Sequence, residues 1–409
     1  MDAEYRARHR APHAPRRRLG PAVALAVTVA AVVGAGAFAG RGLLAGDRGL
    51  TVSAPPATRP PATGAASPTP SPSAAGAVTI AAVGDTMLGN TPQLPPFPQT
   101  YFSAVRSALR APIVFGNLEG TLTDDGTSKC ARPTPSPTST GAGPSKTSPP
   151  PPPTCFAFRV PPSYAGDLAR GGFTIMNNAN NHSFDFGTPG LLDTLAALHG
   201  AGIAHTGLPE QITIQRAGKI RVAFVGFAPY ANTASLLDLS SARTLIRQAR
   251  AEADIVVVYM HAGAEGSDAQ HITGAEEFYV GEDRGNPRAF AHMAIAAGAD
   301  LVIASGPHVL RGMEFYRGHL VAYSLGDFAG YHNFSTSGAL AVSAVLRVRL
   351  SGDGAFVAGK IVPVRLTDVG QPVRDALGAA IPMVRSLSRA DFGSAAARIT
   401  RSGEILPPA

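Results

Sequence analysis

At 409 residues, with 45% hydrophobic and 15% charged positions, the chain can form one large domain with appendages and is too apolar to be wholly disordered. Its 45 glycines and 36 prolines reserve a good share for turns and linkers, and its two cysteines are too few for the clusters of a zinc-finger or iron–sulfur protein. The net charge of +7 sits almost entirely in residues 1–77, where nine arginines face three acids, so the near-neutral remainder offers no basic groove and no nucleic-acid partner is expected.

Six arginines occupy residues 1–18, the expected cytoplasmic tail. The uncharged stretch 19–40 follows, closed by Arg41. At about 1.5 Å per residue it can cross a hydrocarbon core of about 30 Å, and the arginines before it keep the N-terminus inside. Ala37-Phe38-Ala39 offers the competing reading, a cleaved signal peptide. Either reading exports the rest of the chain, so a single-pass membrane protein with its folded part outside the cytoplasm is expected, or a secreted one if the segment is cut. Residues 41–77, rich in Ala, Pro, Ser and Thr, have nothing to bury and read as a disordered tether.

Cys130 and Cys155 bracket a proline-rich tract, read as a disordered loop over 130–155, that includes five consecutive prolines from Pro149. A cysteine at each neck of such a loop, in an oxidising compartment, predicts a disulfide that pinches it shut. Loop-closure entropy gives such a ring roughly 3 kcal/mol of stabilisation.

From Val78 a pattern recurs: a short apolar run reads as a buried strand, and polar residues follow directly. Residues 78–83 lead to Gly84-Asp85, Ile113–Phe115 to Asn117 and Glu119, and Phe173–Met176 to Asn180, Asn181, His182 and Asp185. Ile255–Met260 ends at His261, with Glu265 beyond, and Leu301–Ala304 gives way to His308. Helices fit between. One is expected with Thr188 as N-cap, Pro189 in the first turn and Leu191, Leu192, Leu195 and Leu198 on one face; two more fit 241–253 and 287–298. Alternating strands and helices predict an α/β domain, whose sites form at the carboxyl ends of strands. Carboxylates, an amide and two imidazoles at such ends make a ligand set for Mn²⁺, Fe, Zn²⁺ or Mg²⁺. Beyond His308, residues 319–328, 340–350 and 356–366 read as strands, the last two joined by the hairpin signal Gly352-Asp353-Gly354, and predict a second, more antiparallel sheet. Residues 367–409 read as a C-terminal extension without chemistry.

The blocks Gly84-Asp85-Thr86-Met87-Leu88-Gly89, Asn117-Leu118-Glu119, Asn180-Asn181-His182 with Asp185 and Gly187, His261 to Glu265, Gly306-Pro307-His308-Val309 and Tyr323 to Phe328 stand in this order. Together they resemble the CapA family of poly-γ-glutamate capsule biosynthesis proteins, itself similar to calcineurin-like metallophosphoesterases, over residues 78–366. The resemblance implies a four-layer sandwich of two packed mixed sheets with outer helices, and a centre of one or two divalent metal ions. It implies Asp85, Glu119, Asn181, His261 and His308 as ligands, with His182 as proton donor oriented by Asp185. Metal-activated water would then attack phosphorus while His182 protonates the leaving oxygen. Asn117, Asn180, Glu265 and Asp327 are further candidates. Three positions depart from the pattern. Met87 stands where metallophosphoesterases have His, Ser305-Gly306-Pro307-His308 carries one histidine instead of two, and Asp327 stands where the family usually has Asn. A single tight metal, or a weak second one, becomes the expectation.

The function expected is a membrane-anchored, extracytoplasmic metal-dependent hydrolase of phosphoester type, linked to poly-γ-glutamate or capsule polymer synthesis or export. Two alternatives stay open: a non-catalytic accessory subunit of a polymer synthase or exporter, and a metal-dependent γ-glutamyl amide hydrolase or transferase. The expected partners are an anionic polymer or phosphoester substrate and membrane subunits of the export machinery. His199, His205, His271, His292, His319 and His332 read as ordinary histidines, with His271 the one that could line the site. Arg284 and Arg311 read either as anion binders or as surface salt bridges.

Overall fold

The structure is a computed structural model and describes residues 76–131 and 155–409. The anchor expected at 19–40, the tether and most of the proline tract lie outside the described residues. Among those described, no helix is long and apolar enough to cross a membrane.

The strands that shape the domain are, in chain order, β1 (Ala77–Met87), β2 (Ile113–Leu118), β3 (Ile175–Asn177), β4 (Ala204–Thr206), β5 (Thr213–Ala217) and β6 (Ile220–Ala228). They continue with β7 (Ile255–His261), β8 (Leu301–Ser305), β9 (Met313–Tyr316), β10 (His319–Ala322), β11 (Asp327–Gly330), β12 (Val342–Ser351) and β13 (Phe356–Leu366). One sheet runs β13-β12-β1-β2-β3-β4, parallel from β1 to β4 and antiparallel on the other side of β1. Its far edge is extended by the short strands Arg398–Ile399 and Glu404–Leu406. The other sheet runs β9-β10-β8-β7-β6-β5, parallel from β6 through β10 with antiparallel margins.

Alternation along the strands sets the layers, because successive side chains point to opposite faces. Val78, Ile80 and Ala82 of β1 meet Val222 and Phe224 of β6 and Ile255, Val257 and Tyr259 of β7 in the core between the sheets. There the Phe115 ring lies 5.7 Å from Phe224 and 5.3 Å from Tyr259. The intervening residues face outward. Ala81, Val83 and Val114 pack under α1 (Ala165–Gly171) and α2 (Gly187–Gly200). Val225, Val256 and Val258 pack under α3 (Leu239–Glu252) and α4 (Pro287–Ala297). Helix, sheet, sheet, helix is the expected four-layer order.

The helix starts follow cap chemistry in two cases. Asp238 accepts from the N–H groups of Ser240 and Ser241 to begin α3, and Asn286 accepts from Ala289 to begin α4, with Pro287 in its first turn. α2 differs from expectation. It begins at Gly187 without a side-chain cap, so Thr188 lies within the first turn, and Leu192 points to solvent at 59% exposure. Its buried line runs through Gly190, Thr194 and Leu198 instead, since the Thr194 hydroxyl accepts from the Leu122 N–H at 2.9 Å and ties the helix to the backbone beneath it.

Two further expectations are corrected. Residues 319–328 are two strands rather than one: β10 belongs to the β6–β8 sheet, β11 pairs with the end of β1, and Tyr323–Gly326 carry the chain across. The β12–β13 hairpin builds no second sheet; it lies antiparallel against β1 and extends the first. The crossing has a stereochemical demand. The Gly326 carbonyl accepts from the Asp85 N–H at 3.0 Å, and a Cβ on Gly84 would sit 1.9 Å from that carbonyl oxygen, so only glycine fits before Asp85.

Candidate metal centre

The register of β1 slips by one residue against β2 between Ala82 and Asp85, a bulge that re-aims Asp85 at the end of the strand. β2 carries Asn117 next to its last residue, Leu118, and is followed by Glu119, β7 ends at His261, β8 ends at Ser305 ahead of His308, and β11 begins at Asp327 beside Asp85. Carboxyl ends from both sheets and the crossing strand therefore deliver their polar side chains to one place. All of these residues are buried.

Two groups of ligand atoms, Asp85 with Glu119 and His261, and Asp85 with His308 and Asp327, each lie within 4.8 Å of one another and share Asp85. His261 Nε2 is 3.7 Å from Glu119 Oε1, and His308 Nδ1 is 3.6 Å from Asp85 Oδ2 and 2.7 Å from Asp327 Oδ1. His308 holds this place with a left-handed backbone, φ 62°. Four of the five ligands implied by sequence thus converge, and Asp327 joins them. Asn181 lines the adjoining cleft, and its Oδ1 is buried without a hydrogen-bond partner.

The donor set fits a divalent cation. Both Glu119 oxygens, His261 Nε2 and Asp327 Oδ2 are buried with no hydrogen-bond partner. Leaving a buried carboxylate so bare costs several kcal/mol, roughly, unless a cation compensates it. The electrostatics agree. Burial, reinforced by the neighbouring Asp85 charge, pushes the Glu119 carboxyl well above its usual range. Burial raises Asp327 to about 7 against the pull of His308, and it drives His261 well below the ordinary imidazole value, helped by Arg284. His308 moves the other way: burial is outweighed by Asp327 and Glu119, which favour its charged form.

Neighbouring residues hold the cluster in place. Asn117 Nδ2 donates to Asp85 Oδ1 at 2.8 Å and lies 3.4 Å from His261 Nδ1. Its own Oδ1 accepts from Asn177 at 2.7 Å and Asn180 at 3.0 Å. Asn117 therefore orients Asp85, and Asn177 and Asn180 in turn orient Asn117. Asn177 fits because Gly226 of the opposite sheet has no Cβ, which would come within 2.0 Å of its Oδ1. The Ser305 hydroxyl and the Gly306 N–H also donate to Asp85. Glu265 is engaged by Arg284 Nη1 at 2.7 Å and sits 3.6 Å from His308 Nε2; Arg284, against the cost of burial, holds its carboxyl well below the usual range.

The cluster opens into a cleft of about 750 Å³ lined by Glu119, Asn181, His182, Glu265, Arg284 and His308. His182 Nδ1 lies 2.8 Å from Asp185 Oδ2, the pairing its motif implied. Met87 also lines the cleft, its sulfur accepting from Asn333 Nδ2 at 3.0 Å. The Cys130–Cys155 disulfide is formed, and Cys155 lies on the cleft rim.

Other expectations are redrawn. Neither arginine is a surface salt bridge: Arg284 is 1% exposed beside the cleft, and Arg311 is buried away from it, paired with Glu277 at 2.7 Å. His271 does not line the site; it is exposed and paired with Asp391. His332, read as ordinary, lines the cleft. Sequence reasoning missed Ser305, Asn177, Lys129 and Phe158. Ser305 and Asn177 carried a usable signal, since each ends a strand just as His261 does, whereas Lys129 and Phe158 are recruited by tertiary contacts alone.

Residues 79–331 match the family described as "Bacterial capsule synthesis protein PGA_cap". The chain is 32% identical over 173 residues to the PGA biosynthesis protein CapA of Bacillus subtilis (strain 168), covering 38% of this chain and 42% of that protein. It is 27% identical over 227 residues to the capsule biosynthesis protein CapA of Bacillus anthracis, covering 50% and 51% respectively. The matches thus span about half the length of these relatives. Among solved structures, a 5'-nucleotidase precursor from Thermus thermophilus is similar with a TM-score of 0.37 and 15% identity, covering 77% of this chain and 59% of that one. With the family match running through every strand end that supplies the buried cluster, the chain belongs to the bacterial capsule synthesis PGA_cap family.

Proposed function

We propose that this protein is a metal-dependent phosphoester hydrolase that acts on the synthesis or export of a poly-γ-glutamate or capsule polymer, tethered to the outer face of the membrane by residues 19–40. The observation that carries the reading is the buried meeting of Asp85, Glu119, His261, His308 and Asp327, with Glu119 and His261 Nε2 lacking hydrogen-bond partners, beside a cleft lined by Glu119, His308 and His182, the last backed by buried Asp185. The names of the two Bacillus relatives support the polymer; they say nothing of the reaction.

Asp85, Glu119, His261, His308 and Asp327 would hold the cation, with Asn181 at the cleft side. A divalent ion bound there supplies Lewis acidity toward a phosphoryl oxygen and acidifies water. The chain's own groups do the rest. As a water oxygen bonds to phosphorus and the ester P–O bond breaks, His182 gives its Nε2 proton to the departing oxygen, and the proton released by water restores the ring. Asp185 fixes the ring through Nδ1.

Elemental analysis of the purified protein beside Asp85→Ala tests the reading. We expect divalent metal in the wild type, its loss in the variant, and parallel loss of phosphoester hydrolysis. A metal-free wild type, or a variant with unchanged activity, defeats it. Met87 favours a second reading, an accessory subunit without catalysis, because a thioether replaces a ligand histidine of the wider pattern. Polymer export sustained by an Asp85→Ala, His308→Ala double variant would select that reading.

A further inference from the structure

Asp185 is a fully buried carboxylate behind His182 of the cleft wall, and two of its partners come from the two arms that the disulfide joins. On the arm before Cys130, the Lys129 N–H donates to the Asp185 carbonyl at 2.7 Å, Lys129 Nζ pairs with Asp185 Oδ1 at 2.6 Å, and the same ammonium donates to the Asn181 carbonyl at 2.9 Å. On the arm after Cys155, the Phe158 N–H donates to Asp185 Oδ2 at 2.7 Å, and the Phe158 ring lies 4.6 Å from the His182 ring. The arm after Cys155 is also tied to the chain before Cys130 by the pairing of Thr121–Leu122 with Arg159–Val160, and the disulfide is the covalent link next to Lys129 itself.

We propose that Lys129 is a positioning residue for His182, and that the Cys130–Cys155 bond closes Lys129 and Phe158 around Asp185 as a clasp. This rests on the reading of His182 as proton donor. Asp185 is fully buried, and Lys129 is the cation in contact with it. With an ammonium ion-paired at Oδ1 and a backbone N–H bonded at Oδ2, the carboxylate is hindered from turning about its Cβ–Cγ bond. Its Oδ2 therefore stays on His182 Nδ1, the imidazole keeps one tautomer, and Nε2 is the nitrogen left for the cleft. Lys129 itself is 37% exposed in its side chain, so replacing it removes the ion pair without opening a cavity.

The test compares full-length wild type, Lys129→Ala, Lys129→Arg and Cys130→Ser/Cys155→Ser. The first measurement is independent of turnover: the rate at which diethylpyrocarbonate carbethoxylates His182, followed by peptide mass spectrometry. Lys129→Ala and the double serine variant should label several-fold faster, and Lys129→Arg should label at the wild-type rate. The second measurement compares p-nitrophenyl phosphate with an alkyl phosphate, whose poorer leaving group depends more on a proton donor. Lys129→Ala should lose about tenfold in kcat on the alkyl ester and little on the aryl ester, with KM unchanged, as expected when part of a general acid's contribution is lost. Unchanged labelling of His182 in both variants overturns the clasp, and equal losses on the two esters overturn Lys129 as a positioning residue. If wild type cleaves neither ester, the hydrolase reading fails while the labelling still decides the clasp.

Discussion

Glu119 and Glu314 are both fully buried glutamates with a histidine beside them, and the fold treats them in opposite ways. Glu314, on β9, accepts at Oε1 from His292 Nε2 and from the Tyr323 hydroxyl, each at 2.7 Å, while Arg288 stands 3.8 Å from Oε2. Although burial raises its pKa, the bonds from His292 and Tyr323 prevail and bring it below the ordinary value. Glu119 has no donor. Its nearest imidazole nitrogen is 3.7 Å away, and burial, with the like charges of Asp85, Glu265 and Asp327, moves its pKa up. A carboxylate that serves architecture is bonded by the chain itself at one oxygen at least, as Glu314 is twice at Oε1 while its Oε2 has no hydrogen-bond partner. One left bare at both oxygens, in a pocket of further ligand atoms, marks a place for a cation.

The strongest way to break this contrast is Glu119→Gln. Loss of an orienting neighbour typically costs about 10–100-fold in metal affinity, so removing a ligand should cost more than about 100-fold, read by metal titration. The same variant should raise the melting temperature of the metal-free protein, because a buried carboxyl whose ionisation its surroundings oppose is replaced by a neutral amide. A lower melting temperature would place Glu119 in the same class as Glu314. Next in size, Asn117→Ala leaves every ligand in place but frees Asp85 and His261 and should weaken metal binding about 10–100-fold. Glu314→Gln should do the reverse of Glu119→Gln: metal content unchanged, and stability lowered by about 1–3 kcal/mol in denaturant unfolding as the charge-assisted bonds weaken.

The smallest expected effect is in pH. The folded pKa of Glu314 lies below the ordinary value of 4.5, so its stabilisation is complete above that pH and is lost as pH falls toward the folded value. One such group tilts the stability curve by at most about 1.4 kcal/mol per pH unit. Melting curves between pH 5 and pH 3, on an approximate scale set by that window, should be flatter for Glu314→Gln than for wild type.

Much of this site could be read from the order of residues because each ligand candidate follows an apolar run. Asp85, Glu119, His261 and His308 each stand at or just beyond a strand, and strands in such sheets end on a common rim. What could not be read depended on faces and crossings. Leu192 carries the right spacing for the buried stripe, yet Thr194 takes that place by bonding the Leu122 backbone. Residues 319–328 are apolar enough for one strand, but Gly326, with φ 64°, lets the chain change sheets and sets Asp327 against Asp85. Lys129 had no periodic or motif signal, and Glu314 sits in a sequence that gives no hint of His292 or Tyr323.

The amino-acid order by itself pointed to the alternation of elements, to the disulfide and to most of the polar residues that meet in the buried cluster, since hydrophobic period and motif spacing are local properties. Tertiary structure alone decided which polar groups face one another and which of them lack a partner. Those outcomes depend on distances between strands far apart in the chain, on the bulge at Asp85 and on two glycines, Gly84 and Gly226, whose missing side chains let the sheets close over the site.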